Sequence, residues 1–214
     1  MRAFIFDMDG VIIDSEPLHA EIKRQTLEHY GFAVDDAELV RYVGRTTRSF
    51  FQSVITDSGR TDVNAEDMTE YKHSRYLAAL QGKAGIEPIN GIPELLAKLK
   101  KMNIKTGLAS SADPVIIEAV LTRFGVKDKF QVVISGTEIP RSKPDPAIYL
   151  LTAERLMTAP EECVVLEDSQ SGIAAAKAAG MYCIAYRNPD SGAQDLSKAD
   201  RIVDKISEID LTKL

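Results

Sequence analysis

From Gly91 to its end the chain alternates short apolar runs with longer stretches of helical periodicity, and few folds accept that pattern. The spacing predicts helices over Pro93–Met102, Pro114–Phe124, Pro146–Leu156 and Ser171–Ala179, with Gly125 and Gly180 as stops. Between them it predicts strands over Lys105–Ala109, Val132–Ser135, Cys163–Leu166 and Tyr182–Tyr186, and a short last one at Ile202-Val203. A first strand, Phe4-Ile5-Phe6, stands far ahead of this series. Strands that alternate with helices pair in parallel and need cover on both faces, so the expected core is a Rossmann-like α/β sheet. In such sheets ligands bind beyond the carboxyl ends of the strands.

The stretch between the first strand and Gly91 has a different character. Ser15 can cap a helix carrying Leu18, Ile22, Leu27 and Tyr30, closed by Gly31. A short helix is expected over Asp36–Val43, ended by Gly44. Another, capped by Thr46 or Thr47, carries Phe50, Phe51, Val54 and Ile55 and stops at Gly59. Asn64 opens a fourth, with Met68, Tyr71 and Leu77 at helical spacing. The expected organisation is therefore a core of 1–14 and 84–214 with a small all-helical domain, 15–83, inserted after strand one.

Composition excludes several partners. The net charge of −6, with no long basic run, argues against nucleic acid, which recruits clustered Lys and Arg. No apolar stretch approaches the roughly 18 residues of a membrane span, and nothing resembles a signal peptide. The two cysteines, Cys163 and Cys183, lie in strand-like apolar runs and read as buried small hydrophobes. A monomer in the cytosol is the expectation.

The chemistry gathers at strand ends. Asp7 and Asp9 follow strand one two residues apart and so leave the sheet on one side, with Gly10 marking the turn. Two carboxylates that close persist only when a cation lies between them or one keeps its proton. Ser110-Ser111, Lys143 in Arg141-Ser142-Lys143-Pro144, and Glu167-Asp168 each come after a later strand. Taken singly, Ser110 can be a helix cap, Lys143 a loop residue and Glu167-Asp168 the acidic start of a helix. Their recurrence at successive strand ends favours one shared site. Oxygen ligands with a single lysine suit Mg²⁺ and a phosphate group. In that reading Asp7 attacks phosphorus, Asp9 moves the proton, and Ser110 with backbone N–H groups and Lys143 binds the phosphate.

The runs Asp-Met-Asp-Gly-Val, Leu-Ala-Ser-Ser, Ser-Lys-Pro-Asp-Pro and Leu-Glu-Asp-Ser-Gln-Ser-Gly-Ile resemble the four motifs of the haloacid dehalogenase superfamily, over essentially the whole chain. The helical insert resembles the small cap of its β-phosphoglucomutase-like branch. The resemblance implies Asp7 as phosphoryl acceptor and Asp9 as acid/base. It also implies Mg²⁺ held by Asp7, the Asp9 carbonyl and Asp168, with Glu167 in support, and phosphate binding by Ser110, Ser111 and Lys143. His19 and Lys72 match cap positions that approach the acid/base and the substrate. Gly44-Arg45-Thr46-Thr47-Arg48 resembles a specificity loop, although the gapless match puts Thr47 at the arginine position and Arg48 one residue later.

One departure bears on activity. The mutase branch grips a distal phosphate with a Ser-Lys-Asn run after the second motif, where this chain has Ala112-Asp113-Pro114. Asp113 would repel a second phosphate, and Pro114 offers neither a side-chain donor nor an N–H. The expectation is a Mg²⁺-dependent phosphatase acting on small phosphomonoesters, sugar phosphates by resemblance. The alternatives are a β-phosphoglucomutase and, more distantly, a phosphoacceptor signalling domain.

Overall fold

The computed structural model describes residues 1–33, 47–82 and 86–214. The expected helix over Asp36–Val43, together with Gly44, Arg45 and Thr46, lies outside the described residues. The chain divides into two compact units, Met1–Glu16 with Ala84–Leu214, and Pro17–Lys83.

The larger unit is built on six parallel strands. They are β1 (Ala3–Phe6), β2 (Lys105–Ser110), β3 (Val132–Ser135), β4 (Cys163–Glu167), β5 (Tyr182–Tyr186) and β6 (Arg201–Val203). Their order across the sheet is β3-β2-β1-β4-β5-β6. A central parallel strand buried on both faces needs apolar residues throughout, and all four residues of β1 are buried. Ala3 and Ile5 face one side, in a cluster with Tyr149, Ala153 and Ile173. Phe4 and Phe6 face the other, where Phe6 meets Phe130 edge-on at 5.7 Å. The register pairs Phe6 with Leu108 of β2 and with Leu166 of β4. One residue further, Asp7 stands between Ala109 and Glu167.

The order reverses at β1, because β2 and β4 lie on opposite sides of it. That reversal opens a crevice at the carboxyl ends of β1 and β4.

The helices of this unit follow the expected pattern with shifts of a residue or so: α4 (Ile92–Lys101), α5 (Pro114–Arg123), α6 (Ala147–Arg155) and α7 (Gln170–Ala178). Gly91, Asp113, Pro146 and Ser169 sit just outside the first turns, and Ser169 caps α7 by accepting the Gly172 N–H. Cys163 and Cys183 are buried and free, as their apolar neighbours suggested.

In the smaller unit, α1 (Glu16–His29), α2 (Thr47–Ser58) and α3 (Ala65–Gly82) enclose Leu27, Phe32, Phe50, Phe51, Val54, Ile55 and Met68. Arg60 ties its base, bonding the Tyr30 carbonyl at 3.0 Å and the Asp62 carboxylate. The helix expected after Asn64 forms as α3, and its buried stripe runs through Ala65, Met68, Lys72, Tyr76 and Leu80, with Tyr71 and Leu77 to its sides. One expectation fails here. The Ser15 hydroxyl is buried and makes no hydrogen bond among the described residues, so it does not cap α1. None of the described helices is long and apolar enough to cross a membrane.

The junction of β4 and α7 leaves no spare volume. A Cβ on Gly172 would fall on the Glu167 carboxylate. Alanine favours a helix by about 1 kcal/mol over glycine, whereas overfilling a packed site costs about 1–3 kcal/mol. Gly172→Ala is therefore expected to destabilise the fold despite its better propensity, and urea unfolding checks the sign.

Candidate active site

β1 delivers Asp7 to the crevice, and the Asp7 N–H bonds the Leu166 carbonyl of β4 at 3.0 Å. The chain then turns: the Gly10 N–H reaches the Ile13 carbonyl at 2.8 Å, with Gly10 at φ 74°. A side chain at that angle is strained, and a Cβ there would collide with the Asp168 carboxylate. Glycine is thus required twice over at this position. β4 ends in Glu167 and passes directly to Asp168, so the acids of the two central strands meet.

Lys143 bridges them from a third direction. It follows β3, precedes a cis peptide bond to Pro144, and its side chain is only 7% exposed. Its Nζ lies 2.5 Å from Asp7 Oδ1, 2.7 Å from Glu167 Oε1 and 3.3 Å from the Ala109 carbonyl. One ammonium therefore spans the ends of three adjacent strands. Burial alone would depress the Lys143 pKa, but Asp7 and Glu167 outweigh it and keep the ammonium charged.

Glu167 is held on both oxygens. Oε1 accepts from Lys143 and, at 2.9 Å, from the Tyr149 hydroxyl; Oε2 accepts from the Asp168 and Ser169 N–H groups and the Ser169 hydroxyl, each at 2.9 Å. Burial works against its charge, but Lys143 and these donors hold its carboxyl below the ordinary value. The Tyr149 ring also lies 5.0 Å beneath Lys143 Nζ.

Asp7 and Asp168 differ from Glu167. Burial pushes the Asp7 carboxyl up well past its ordinary value; Lys143 opposes this, while Glu167, Asp168 and Asp9 add to it. Burial and then Glu167 push Asp168 up to about 7, against a hydrogen bond from Ser191 and the charge of Lys143. Asp7, Glu167 and Asp168 offer oxygens within 4.8 Å of one another. Three buried carboxylates with one lysine leave negative charge uncompensated, and that donor set fits a hard divalent cation.

Asp7, Asp9, Gly10, Ser111, Lys143, Asp168 and Ser191 line a common pocket of about 200 Å³. Ser110 is placed differently from Ser111. Its side chain is buried, and its Oγ accepts the Ala112 N–H at 3.1 Å. Asp113 is exposed at the start of α5, and Pro114 is that helix's first residue.

Three expected residues belong to the helical unit. Lys72 is buried, because it shares the inward stripe of α3 with Met68, Tyr76 and Leu80. Its Nζ lies 2.9 Å from His19 Nδ1 and 5.0 Å from the Tyr76 ring, on which His19 stacks at 4.4 Å. Burial, then Lys72, push the His19 pKa down to about 3, so the ring is neutral near pH 7. Arg48 is exposed and pairs with Glu66 at 3.0 Å. Arg45 lies outside the described residues.

Sequence reasoning missed Tyr149, Ser169, Asn188 and Ser191. Tyr149 read as one more apolar helix residue. The Asn-Pro and Ser-Gly pairs around Asn188 and Ser191 mark a loop but give no sign of what it touches.

A doubly wound parallel sheet, with an acidic oxygen-donor centre and a buried lysine at its switch point, defines an α/β enzyme that works on a charged oxygen-rich group. Residues 4–186 match the model of the haloacid dehalogenase-like hydrolases. The chain belongs to that family and is an enzyme of its phosphatase type. It is 33% identical over 218 residues to the "Phosphorylated carbohydrates phosphatase" of Thermotoga maritima, covering 98% of this chain and 100% of that one. It is 30% identical over 218 residues to the β-phosphoglucomutase of Bacillus subtilis, covering 100% and 94%. Among solved structures, that of CbbY from Rhodobacter sphaeroides in complex with phosphate superposes with a TM-score of 0.84 at 26% identity, covering 97% and 96%. Family membership removes the signalling-domain alternative.

Past the β1 turn, Asp14 is half-buried, and its Oδ1 has no hydrogen-bond donor among the described residues. Burial, then a hydrogen bond and charge from Asp190, push its carboxyl up from 3.8 to about 6. The folded state thus holds this proton more tightly than the unfolded chain does. Its contribution is fully present below 3.8 and is lost as pH rises through about 6. Asp14→Asn is expected to raise the melting temperature at about pH 7.5 and to leave it nearly unchanged at about pH 4, as thermal scans at the two pH values would show.

Proposed function

We propose that this enzyme is a Mg²⁺-dependent phosphatase of small phosphomonoesters, sugar phosphates foremost, working through an aspartyl-phosphate on Asp7. The observation that carries the reading is the Lys143 bridge, which points Asp7 into a pocket shared with Asp9 and Asp168. The carbohydrate-phosphate names of the two sequence relatives support the substrate class.

In this reading Asp7, Asp168 and the Asp9 main-chain carbonyl hold the cation, and Glu167 supports them through Lys143. Bound Mg²⁺ supplies positive charge that lets Asp7 ionise and that polarises the phosphoryl group. An Asp7 carboxylate oxygen bonds to phosphorus as the ester P–O bond breaks, and the Asp9 carboxyl gives its proton to the departing alkoxide. Asp9, now ionised, takes a proton from water, whose oxygen attacks the phospho-aspartate and returns Asp7 and inorganic phosphate. Lys143, Ser110 and Ser111 bind the transferring group. We assign 15–83 as the cap domain, with His19 and Lys72 as its substrate-binding residues and Arg48, engaged with Glu66, as a further contact.

A mutase must hold two phosphates. Exposed Asp113 followed by Pro114 offers the second one an anion and no donor. The test incubates the Mg²⁺-loaded enzyme with β-glucose 1-phosphate, a trace of the 1,6-bisphosphate and, separately, a panel of sugar monophosphates. Free phosphate should appear, stop with chelator, and be absent from Asp7→Asn. Asp9→Asn should lower kcat by about 10²–10⁴-fold. Glucose 6-phosphate accumulating faster than phosphate would sink the hydrolase reading in favour of the mutase.

A further inference from the structure

The loop between β5 and β6 takes no part in the steps above, yet two of its polar side chains, Asn188 and Ser191, are turned towards the β1 turn and Asp168. Asn188 is buried, and its Nδ2 donates to the Gly10 carbonyl at 3.1 Å. Its Oδ1 accepts the Asp190 N–H at 2.9 Å, which fixes the bend that follows. Ser191 Oγ donates to Asp168 Oδ2 at 2.5 Å. Gln194 closes the loop onto the opposite side: its Oε1 accepts the Gln170 N–H of α7 at 3.0 Å, and its Nε2 donates to the Ser191 carbonyl at 3.0 Å. One short loop therefore grips the β1 turn, the Asp168 carboxylate and the start of α7.

The packing around Asp168 is close. A Cβ on Gly10 would overlap Asp168 Oδ2 and come within 2.9 Å of Ser191 Oγ. Gly10, Asp168 and Ser191 therefore lie close together at the end of the β1 turn. A hydroxyl that donates to one carboxylate oxygen also favours the charged form and leaves the other oxygen to bind elsewhere.

We infer that Ser191 is a positioning residue that aims Asp168 at the cation, with Asn188 and Gln194 holding the loop in place. The inference rests on the Mg²⁺ reading of the site. Outer partners that orient a ligating carboxylate typically change metal affinity by about 10–100-fold when removed. A loop that merely covered the sheet end would change stability instead.

The experiment measures Mg²⁺ binding to metal-stripped full-length protein by titration calorimetry, with melting temperatures taken before and after loading. For Ser191→Ala the Mg²⁺ Kd should rise by about 10-fold or more, while the metal-free melting temperature stays close to that of the parent. Ser191→Thr keeps a donor and should recover most of the affinity. Asn188→Ala, which frees the loop from Gly10, should weaken binding in the same direction, and Ser197→Ala, exposed on the same loop, should not. A Ser191→Ala Kd within about twofold of the parent, or a loss matched by an equal fall in metal-free stability, overturns the inference. Failure of the parent protein itself to bind Mg²⁺ overturns the metal reading, and the inference with it. The two failures are told apart by the parent alone.

Discussion

The Lys143 ammonium, buried between Asp7 and Glu167, is the interaction on which the rest of the site depends. Like charges within 4.8 Å of one another repel by a few kcal/mol even at an effective dielectric of about 20. Asp7, Glu167 and Asp168 could not share so small a volume as three anions without a compensating charge. One lysine compensates only part of it. The division is visible in the acids themselves: Glu167, with Lys143 and four further donors, stays ionised, while Asp7 and Asp168 are driven towards their neutral forms. A phosphatase that uses Asp7 as a nucleophile needs the missing positive charge at that spot. Breaking a buried pair from one side strands the other charge, so the lysine has a structural duty alongside any chemical one.

The fold brings these charges together through a single property of its sheet. Because β2 and β4 flank β1 on opposite sides, the loops leaving β1 and β4 diverge and open a crevice. The pairing of Phe6 with Leu166 then puts Asp7 beside Glu167. A slip of one residue would turn Asp7 to the other face of the sheet, towards the layer that holds Phe130. The apolar alternation of Ala3 and Ile5 against Phe4 and Phe6 is what prevents the slip. The geometry of the acidic site is thus fixed by the core packing beneath it.

Much of this was legible in the sequence. Asp7, Asp9, Lys143 and Asp168 are chemically conspicuous residues at strand ends, and strand ends are recognisable from short apolar runs bounded by turn residues. Ser110 was legible as a residue, but only the structure shows that its hydroxyl oxygen accepts the Ala112 N–H, which leaves its O–H free to donate, while Ser111 lines the pocket. Lys72 was legible from the resemblance but its burial was not, since a lysine in a polar helix is normally solvated and only the packing of α3 decides that its face is the buried one. Tyr149 was hidden for the opposite reason. It is apolar enough to read as core, which it is, and its hydroxyl finds Glu167 only because α6 lies against the sheet.

By itself the sequence determined the succession of elements, the parallel sheet, the identity of the acids and lysine, and the family to which they belong. Local spacing and residue chemistry are enough for that, since each strand announces its own end. What only the tertiary structure decided is who partners whom. Lys143 meets Asp7 across 136 residues, and Asn188 meets Gly10 across 178. No periodicity carries information over such distances. Those contacts exist because the sheet order brings remote strand ends to one crevice, and there the unmet charge or hydrogen-bonding capacity of each group selects its neighbour.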